Sequence, residues 1–327
     1  MRAPLDISVV LSTRNRAESL AVTLECLARA DREGLNVEVV VVDNGSSDNT
    51  RQVTESVSGR LPVQYLFEPK LGTYGKSNAL NCAINVAGLG EIVAVLDDDM
   101  SPDLHWFKGV YDACKRWPDK DMFGGRTHII WPTTNIPEWA HKSRLQGWIF
   151  SAADYGTKEE PLEAGRWFSG NHFWFRSKVL EGGRRFKDIW LTEPDFMLQL
   201  AEDGRIGMWA PDAVAGHRIQ PRLLEETVAR QLAIKVGRCY AAVRLDPYKK
   251  SVKQAVLFKR HPFLSRTFCL LNSVRWACCY GLARLRPSKA DRFERTLIAL
   301  ERMNTYLELF RVANGMDEYR VFSRSRS

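Results

Sequence analysis

The sequence contains no run of 18 uncharged residues, and so offers no obvious membrane-spanning helix. It opens on MRAPLDISVVLS, with no charged leader ahead of a long apolar core, and a secretory signal is not expected. Its seven cysteines (26, 82, 114, 239, 269, 278 and 279) form neither a C-x-x-C pair nor an evenly spaced framework. They read as thiols in a reducing compartment, the cytoplasm. There is no internal repeat and no low-complexity segment beyond the terminal SRSRS, which is expected to be disordered. Nucleic acid is not an expected partner, because no known nucleic-acid motif accompanies the basic residues near the end.

What is present is an ordinary soluble composition, 45% hydrophobic and 26% charged over 327 residues, enough for one large domain and an appendage. Charge is uneven. From Ile219 onward there are 22 lysines and arginines against 9 acids, while the whole chain is only +8. A mildly acidic body of residues 1–218 and a basic region of 219–327 are therefore expected. The basic region would meet an anionic surface, membrane lipid above all, or else pack as a solvated helical region against the body.

Apolar runs at Ile7–Leu11, Val37–Val42, Val63–Phe67 and Ile92–Leu96 alternate with helical segments near Ala17–Ala30, Asp48–Ser58, Lys76–Ala87 and Leu104–Trp117. Nearly continuous valine, isoleucine and leucine strands with such crossovers predict a mostly parallel sheet flanked by helices, an α/β fold. Ser46, Ser47 and Asp48 are candidate caps for the second helix. Residues 118–190 show little periodicity and read as short strands and long loops facing a substrate. A helix over Pro194–Asp203 and a strand near Ile206–Trp209 follow. Beyond His217 the spacing of Val228, Leu232, Val236 and Tyr240, and of Phe293, Leu297, Leu300, Met303, Leu307 and Phe310, predicts helices with packed seams.

The fourth strand ends in Asp97, Asp98 and Asp99. Three carboxylates where a buried strand emerges are costly unless a cation binds there. Hard oxygen ligands suit Mg²⁺ or Mn²⁺. In open parallel sheets ligands sit beyond the carboxyl ends of the strands, where these acids fall. A phosphate-binding P-loop at Gly75-Lys76-Ser77 fails, since its first glycine would have to stand where Lys70 does.

Five pieces occur in order: VVLSTRNR (Val9–Arg16), VEVVVVDNGSSDNT (Val37–Thr50), KLGTYGKSNALN (Lys70–Asn81), LDDDM, and a distal set of GNHFWFR, TEPDF and PDAVAGH. Together they resemble the family 2 nucleotide-diphospho-sugar glycosyltransferases of GT-A fold, over residues 5 to about 218. The resemblance implies a metal-dependent inverting transfer of one sugar, from a donor expected to be UDP-linked, to a hydroxyl of a glycan or lipid-linked acceptor. It gives Thr13 and Arg14 to the base and phosphates and Asp43 to the uracil, although Asp43 also suits the start of the NGSS turn. Lys76 would reach a phosphate or stand solvated at a helix start. Asp97 and Asp98 would serve ribose and ion, and Asp99 and His217 the metal. Gly170, Asn171 and Arg176 would lie near donor sugar and acceptor. The base is expected at Glu193, with Asp195 as the alternative, because the family's adjacent Glu-Asp pair is here Thr192-Glu193. The processive motif Q-x-x-R-W is missing after Glu193, which favours single transfers. That departure at TEPDF also leaves a rival reading, a degenerate module that binds a nucleotide sugar without turnover. A nucleotidyltransferase ranks lower, since STRNR lacks the glycine-rich turn. The protein is thus expected in the cytoplasm or peripheral at the inner face of a membrane.

Overall fold

The computed structural model describes residues 4–72, 75–86, 88–162, 167–245 and 262–313, so the SRSRS end, Thr73 and Tyr74 lie outside the described residues. Two compact units result, one of residues up to Ile130 with Ser151–Arg218, the other of Trp131–Phe150 with the chain from Ile219 on. A division drawn at residue 218 alone does not anticipate the excursion 131–150.

The first unit is a nine-stranded mixed sheet: β1 (Ile7–Thr13), β2 (Val37–Asp43), β3 (Val63–Phe67), β4 (Ile92–Asp97), β5 (Met100–Pro102), β6 (Met122–Ile130), β7 (Glu160–Pro161), β8 (His172–Arg176) and β9 (Met208–Arg218), in the order β3-β2-β1-β4-β8-β6-β9-β5, with β7 on β9. The first four strands run parallel, whereas β8 joins β4 antiparallel, Leu96 opposite His172 and Ile92 opposite Arg176. Alternation along the strands splits the core. Val9 and Leu11 face Leu20, Leu24 and Trp106, from α1 (Ala17–Arg29) and α4 (Trp106–Arg116). Val10, Val40 and Val95 face Leu80, Phe196 and Leu200, from α3 (Ser77–Val86) and α6 (Thr192–Glu202). Strands buried on both faces explain the near-continuous apolar runs.

The second helix, α2 (Thr50–Ser56), follows Asn49, whose side chain does not cap it; Asp48 accepts from the Thr50 N–H at 3.1 Å with one oxygen and from the Ala17 N–H at 3.0 Å with the other. Ser46 and Ser47 bond Asn15, so the polar turns after β1 and β2 are stitched together. The short strand expected near Ile206–Trp209 is longer: PDAVAGH is part of the eleven-residue β9, which pairs with β6 with a register shift at Gly125/Arg126. A Cβ on Gly125 would stand 2.3 Å from the Ala213 carbonyl oxygen and 2.4 Å from a ring carbon of His172, so only glycine fits.

The second unit holds α5 (Ser143–Ile149), α7 (Glu226–Leu245), α8 (Pro262–Leu282) and α9 (Lys289–Ala313). Helices α7 and α9 approach so closely that a Cβ on Gly237 would lie 2.2 Å from the Glu301 carbonyl oxygen. Trp139 stacks on Phe150 and meets Phe293 edge-on, which places it in this unit's core.

Candidate active site

The carboxyl ends of β1, β2 and β4 converge with the start of α6. Strand β1 delivers Thr13, whose hydroxyl donates to Asp98 Oδ2 at 2.6 Å. Just beyond it, Asn15 takes a left-handed conformation and turns the chain so that Arg16 points back. Arg16 then pairs with Asp98 Oδ1 at 2.9 Å and Asp99 Oδ2 at 2.7 Å. This arginine was not singled out in the sequence; its place in STRNR, one turn from the acids of a neighbouring strand, is the signal that was there to find.

The three acids differ. Burial pushes the Asp98 carboxyl up to about 6, against the opposing pull of Arg16 and Thr13. Burial also disfavours the Asp99 charge, but His217 and Arg16 outweigh it and hold this group well below the usual carboxylate range. Asp99 Oδ1 is buried with no hydrogen-bond partner, 3.5 Å from His217 Nε2. His217 comes from β9, where it sits opposite Met100 of β5. Asp97 pairs with Lys76, which also reaches Glu193 Oε1 at 2.6 Å. Burial works against the Lys76 ammonium, yet Asp97 and Glu193 together raise its pKa above lysine's ordinary value.

Glu193 is nearly buried in the first turn of α6 and faces Gly170, where a Cβ would stand 3.2 Å from its own Cβ and 3.4 Å from Oε1. Pro194 fits that first turn without loss. The residue before α6, Leu191, is left-handed at φ 65°. That conformation costs a non-glycine residue about 1–2 kcal/mol, and the strain lies two residues from Glu193. Asp195 is buried, accepting from Gln199 and pairing with Lys187 at 3.5 Å. Asn171 joins the edge through its carbonyl, which accepts from the Asp97 N–H, and its buried Nδ2 lacks a partner.

Three expected residues stand apart. Asp43 closes β2, but both its oxygens are engaged, one by the Ser46 N–H and one by the Tyr65 hydroxyl. Arg14 is exposed at the β1 turn. Arg176 is at the opposite end of β8, beside the start of β4, where it pairs with Glu91 at 2.6 Å and donates to the carbonyls of Cys114 and Lys120. The assignment of Arg176 to the sugar site is corrected: five residues of antiparallel strand carry it away from Asn171, and it ties strand ends together.

Four carboxylates (Asp97, Asp98, Asp99 and Glu193) thus meet two directly paired cations, Arg16 and Lys76. The residual negative charge and the buried Asp99 oxygen beside His217 suit a divalent ion. Among the described residues no three His, Cys, Asp or Glu side chains gather into a closed metal site. An ion of the Mg²⁺ type commonly takes only one or two protein ligands and completes its shell with substrate phosphates, so Asp99 and His217 fit as a pair.

The family model for glycosyl transferase family 2 matches residues 8–180. The chain belongs to glycosyl transferase family 2. A validoxylamine A glucosyltransferase of Streptomyces hygroscopicus subsp. jinggangensis is 42% identical over 91 residues, 28% of this chain and 21% of the relative. A chondroitin synthase of Escherichia coli is 29% identical over 123 residues, 38% of this chain and 18% of the relative. The chain therefore spans about a fifth of the length of these curated relatives. Among solved structures, the mannosyltransferase PcManGT of Pyrobaculum calidifontis, in complex with GDP-Man and Mn²⁺, superposes with a TM-score of 0.57 at 20% identity, over 95% of this chain and 89% of that one. TarS of S. aureus, residues 1–349, gives 0.51 at 16% identity, over 98% and 93%. At such identity these two speak for the fold, a GT-A-like mixed sheet with helices.

Proposed function

We propose that this family 2 member moves one sugar from a nucleotide-diphospho-sugar, UDP-linked, to a hydroxyl of a glycan or lipid-linked acceptor, inverting the anomeric carbon. The observation that carries this reading is the convergence of Asp97–Asp98–Asp99, Lys76, His217 and Glu193 on one sheet edge, with a buried Asp99 oxygen turned to His217 at 3.5 Å. Mg²⁺ or Mn²⁺, held by Asp99 and His217, would supply charge neutralisation for the departing diphosphate. Thr13 and Arg16 keep Asp98 and Asp99 aimed at the edge. Arg14 and Lys76 are cations for phosphate oxygens, and Asp43 has lone pairs left for a base N–H. Asn171 Nδ2 offers its unused donor to a sugar hydroxyl.

Glu193 is the base in this reading, because Asp195 is enclosed by Gln199 and Lys187 while Glu193 lies beside Gly170 and Lys76. The acceptor oxygen would attack opposite the diphosphate as Glu193 removes its proton, so that both groups act on one displacement. Lys76 ties the base to Asp97 before the donor arrives, and must yield Glu193 to the acceptor. Single transfer, rather than processive synthesis, follows from the missing Q-x-x-R-W motif. Six free cysteines among the described residues suit a reducing cytoplasm.

Calorimetric titration with UDP and GDP, with and without Mn²⁺, tests the donor site. The reading expects UDP binding that strengthens with Mn²⁺ and loses that gain in Asp99→Asn. Metal-independent binding of equal strength in both proteins would contradict it. Tight metal-dependent binding with no turnover for any sugar would favour the degenerate module instead.

A further inference from the structure

In the second unit, all six exposed large apolar side chains among the described residues fall between 268 and 285: Phe268, Leu270, Leu271, Val274, Leu282 and Leu285. Leu271 is 63% exposed, Leu282 60% and Leu285 77%. On α8 the first five line the solvent side, with Leu271, Val274, exposed Cys278 and Leu282 as its midline at spacings of three, four and four, and Leu285 follows in a short 3-10 turn. The opposite side is anchored: Cys269 and Ser273 are buried, and Cys269 packs with Ala241 of α7 and Leu309 of α9.

The arginines look in the sequence as if they spoil an amphipathic face, since Arg275 falls opposite Arg266 and Arg284. With the buried side fixed, that placement has another meaning. At about 100° per residue, Arg275 lies roughly 55° to one side of the apolar midline and Arg266 roughly 125° to the other, while Arg284 follows the helix in a short 3-10 turn, and all three are exposed. The exposed Arg275 guanidinium therefore borders the stripe, with exposed Arg284 just past its end. Residues 262–290 contain five cations (Arg266, Arg275, Arg284, Arg286 and Lys289) and no acid. No described helix is long and apolar enough to cross a membrane.

From this we infer that the solvent face of α8 docks in the plane of an anionic phospholipid surface. The apolar midline would enter the headgroup boundary, and the flanking arginines would reach lipid phosphates with their stems on the acyl edge. Charge decides against a second copy of the chain, since a two-fold pairing of this face would set arginine against arginine with no carboxylate between. This inference stands apart from the donor site and does not depend on its reading.

Flotation of the full chain with phosphatidylcholine vesicles, with and without 30% phosphatidylglycerol, is the test. Expected is co-flotation with the anionic vesicles only, weakened about thirtyfold at low salt in Arg275→Gln/Arg284→Gln, at about 1 kcal/mol per cation. Leu271→Asp/Leu282→Asp should abolish it; the positions are exposed, so melting temperatures should stay within about 2 °C of the parent. Equal binding to neutral vesicles, or binding that survives both variants, would overturn the inference. So would a concentration-dependent dimer that the Leu271→Asp/Leu282→Asp protein loses, with no flotation by the parent.

Discussion

Replacing Lys76 by methionine removes a cation that Asp97 and Glu193 share. Breaking a buried ion pair by deleting one partner costs about 3–5 kcal/mol. Lys76 and Asp97 are 23% and 32% exposed, so water screens part of this, and about 2–3 kcal/mol is the expected loss. For a domain of this size that lowers the melting temperature by about 5–10 °C. Because the damage is a carboxylate left unpaired, adding Glu193→Gln to Lys76→Met should return about 1 kcal/mol or more, a non-additivity expected only for groups in contact. Thermal and urea denaturation of the two single variants and the double, without nucleotide, measure this. A Lys76→Met protein melting within about 1 °C of the parent, or strictly additive losses, would refute a clamp between the donor acids and the base.

Three more outcomes follow from the same geometry. Gly170→Ala places a methyl 3.2 Å from the Glu193 side chain, so steady-state kinetics should show kcat about tenfold lower at a nearly unchanged melting temperature. Burial holds His172 near a pKa of about 3, and its Nε2 accepts from the Trp106 indole, so it folds neutral while the unfolded chain takes up a proton below about 6.5. Stability should therefore fall by about 2 kcal/mol from pH 7 to pH 5, and urea denaturation of His172→Gln at both values should lack that share of the loss. Arg176→Met should cost about 2–4 kcal/mol in urea denaturation by stranding carbonyls of Cys114 and Lys120, with nucleotide affinity by calorimetry unchanged.

The parallel half of the sheet was legible because β1, β2 and β4 are buried on both faces, and such strands leave continuous apolar runs. The acid triplet was legible for an electrostatic reason, since unpaired carboxylates at a buried strand end demand a cation. Strand β9 was only half visible: PDAVAGH contains a proline, an acid and a glycine, and its extended form is imposed by pairing with β6 and β5. Arg176 misled because a run of strand residues gives no direction; only the antiparallel pairing of β8 shows that Asn171 and Arg176 lie at opposite ends. Arg16 was hidden by distance along the chain, 83 residues from Asp99, and Lys76 read equally as a phosphate ligand or a solvated helix start, with nothing to show that Glu193 is brought to it. That the exposed apolar residues of α8 share one face required knowing which side of the helix is buried.

In the proposed transfer, Asp99 and Glu193 perform different halves of one reaction. The most direct measurement is release of nucleoside diphosphate from a panel of UDP- and GDP-sugars, with Mn²⁺ or with EDTA, by the parent, Asp99→Asn and Glu193→Gln proteins. Expected is release with Mn²⁺ that EDTA and Asp99→Asn abolish, and that Glu193→Gln cuts by about a hundredfold or more with nucleotide binding intact. Release that persists in EDTA, or that Glu193→Gln leaves untouched, would contradict it.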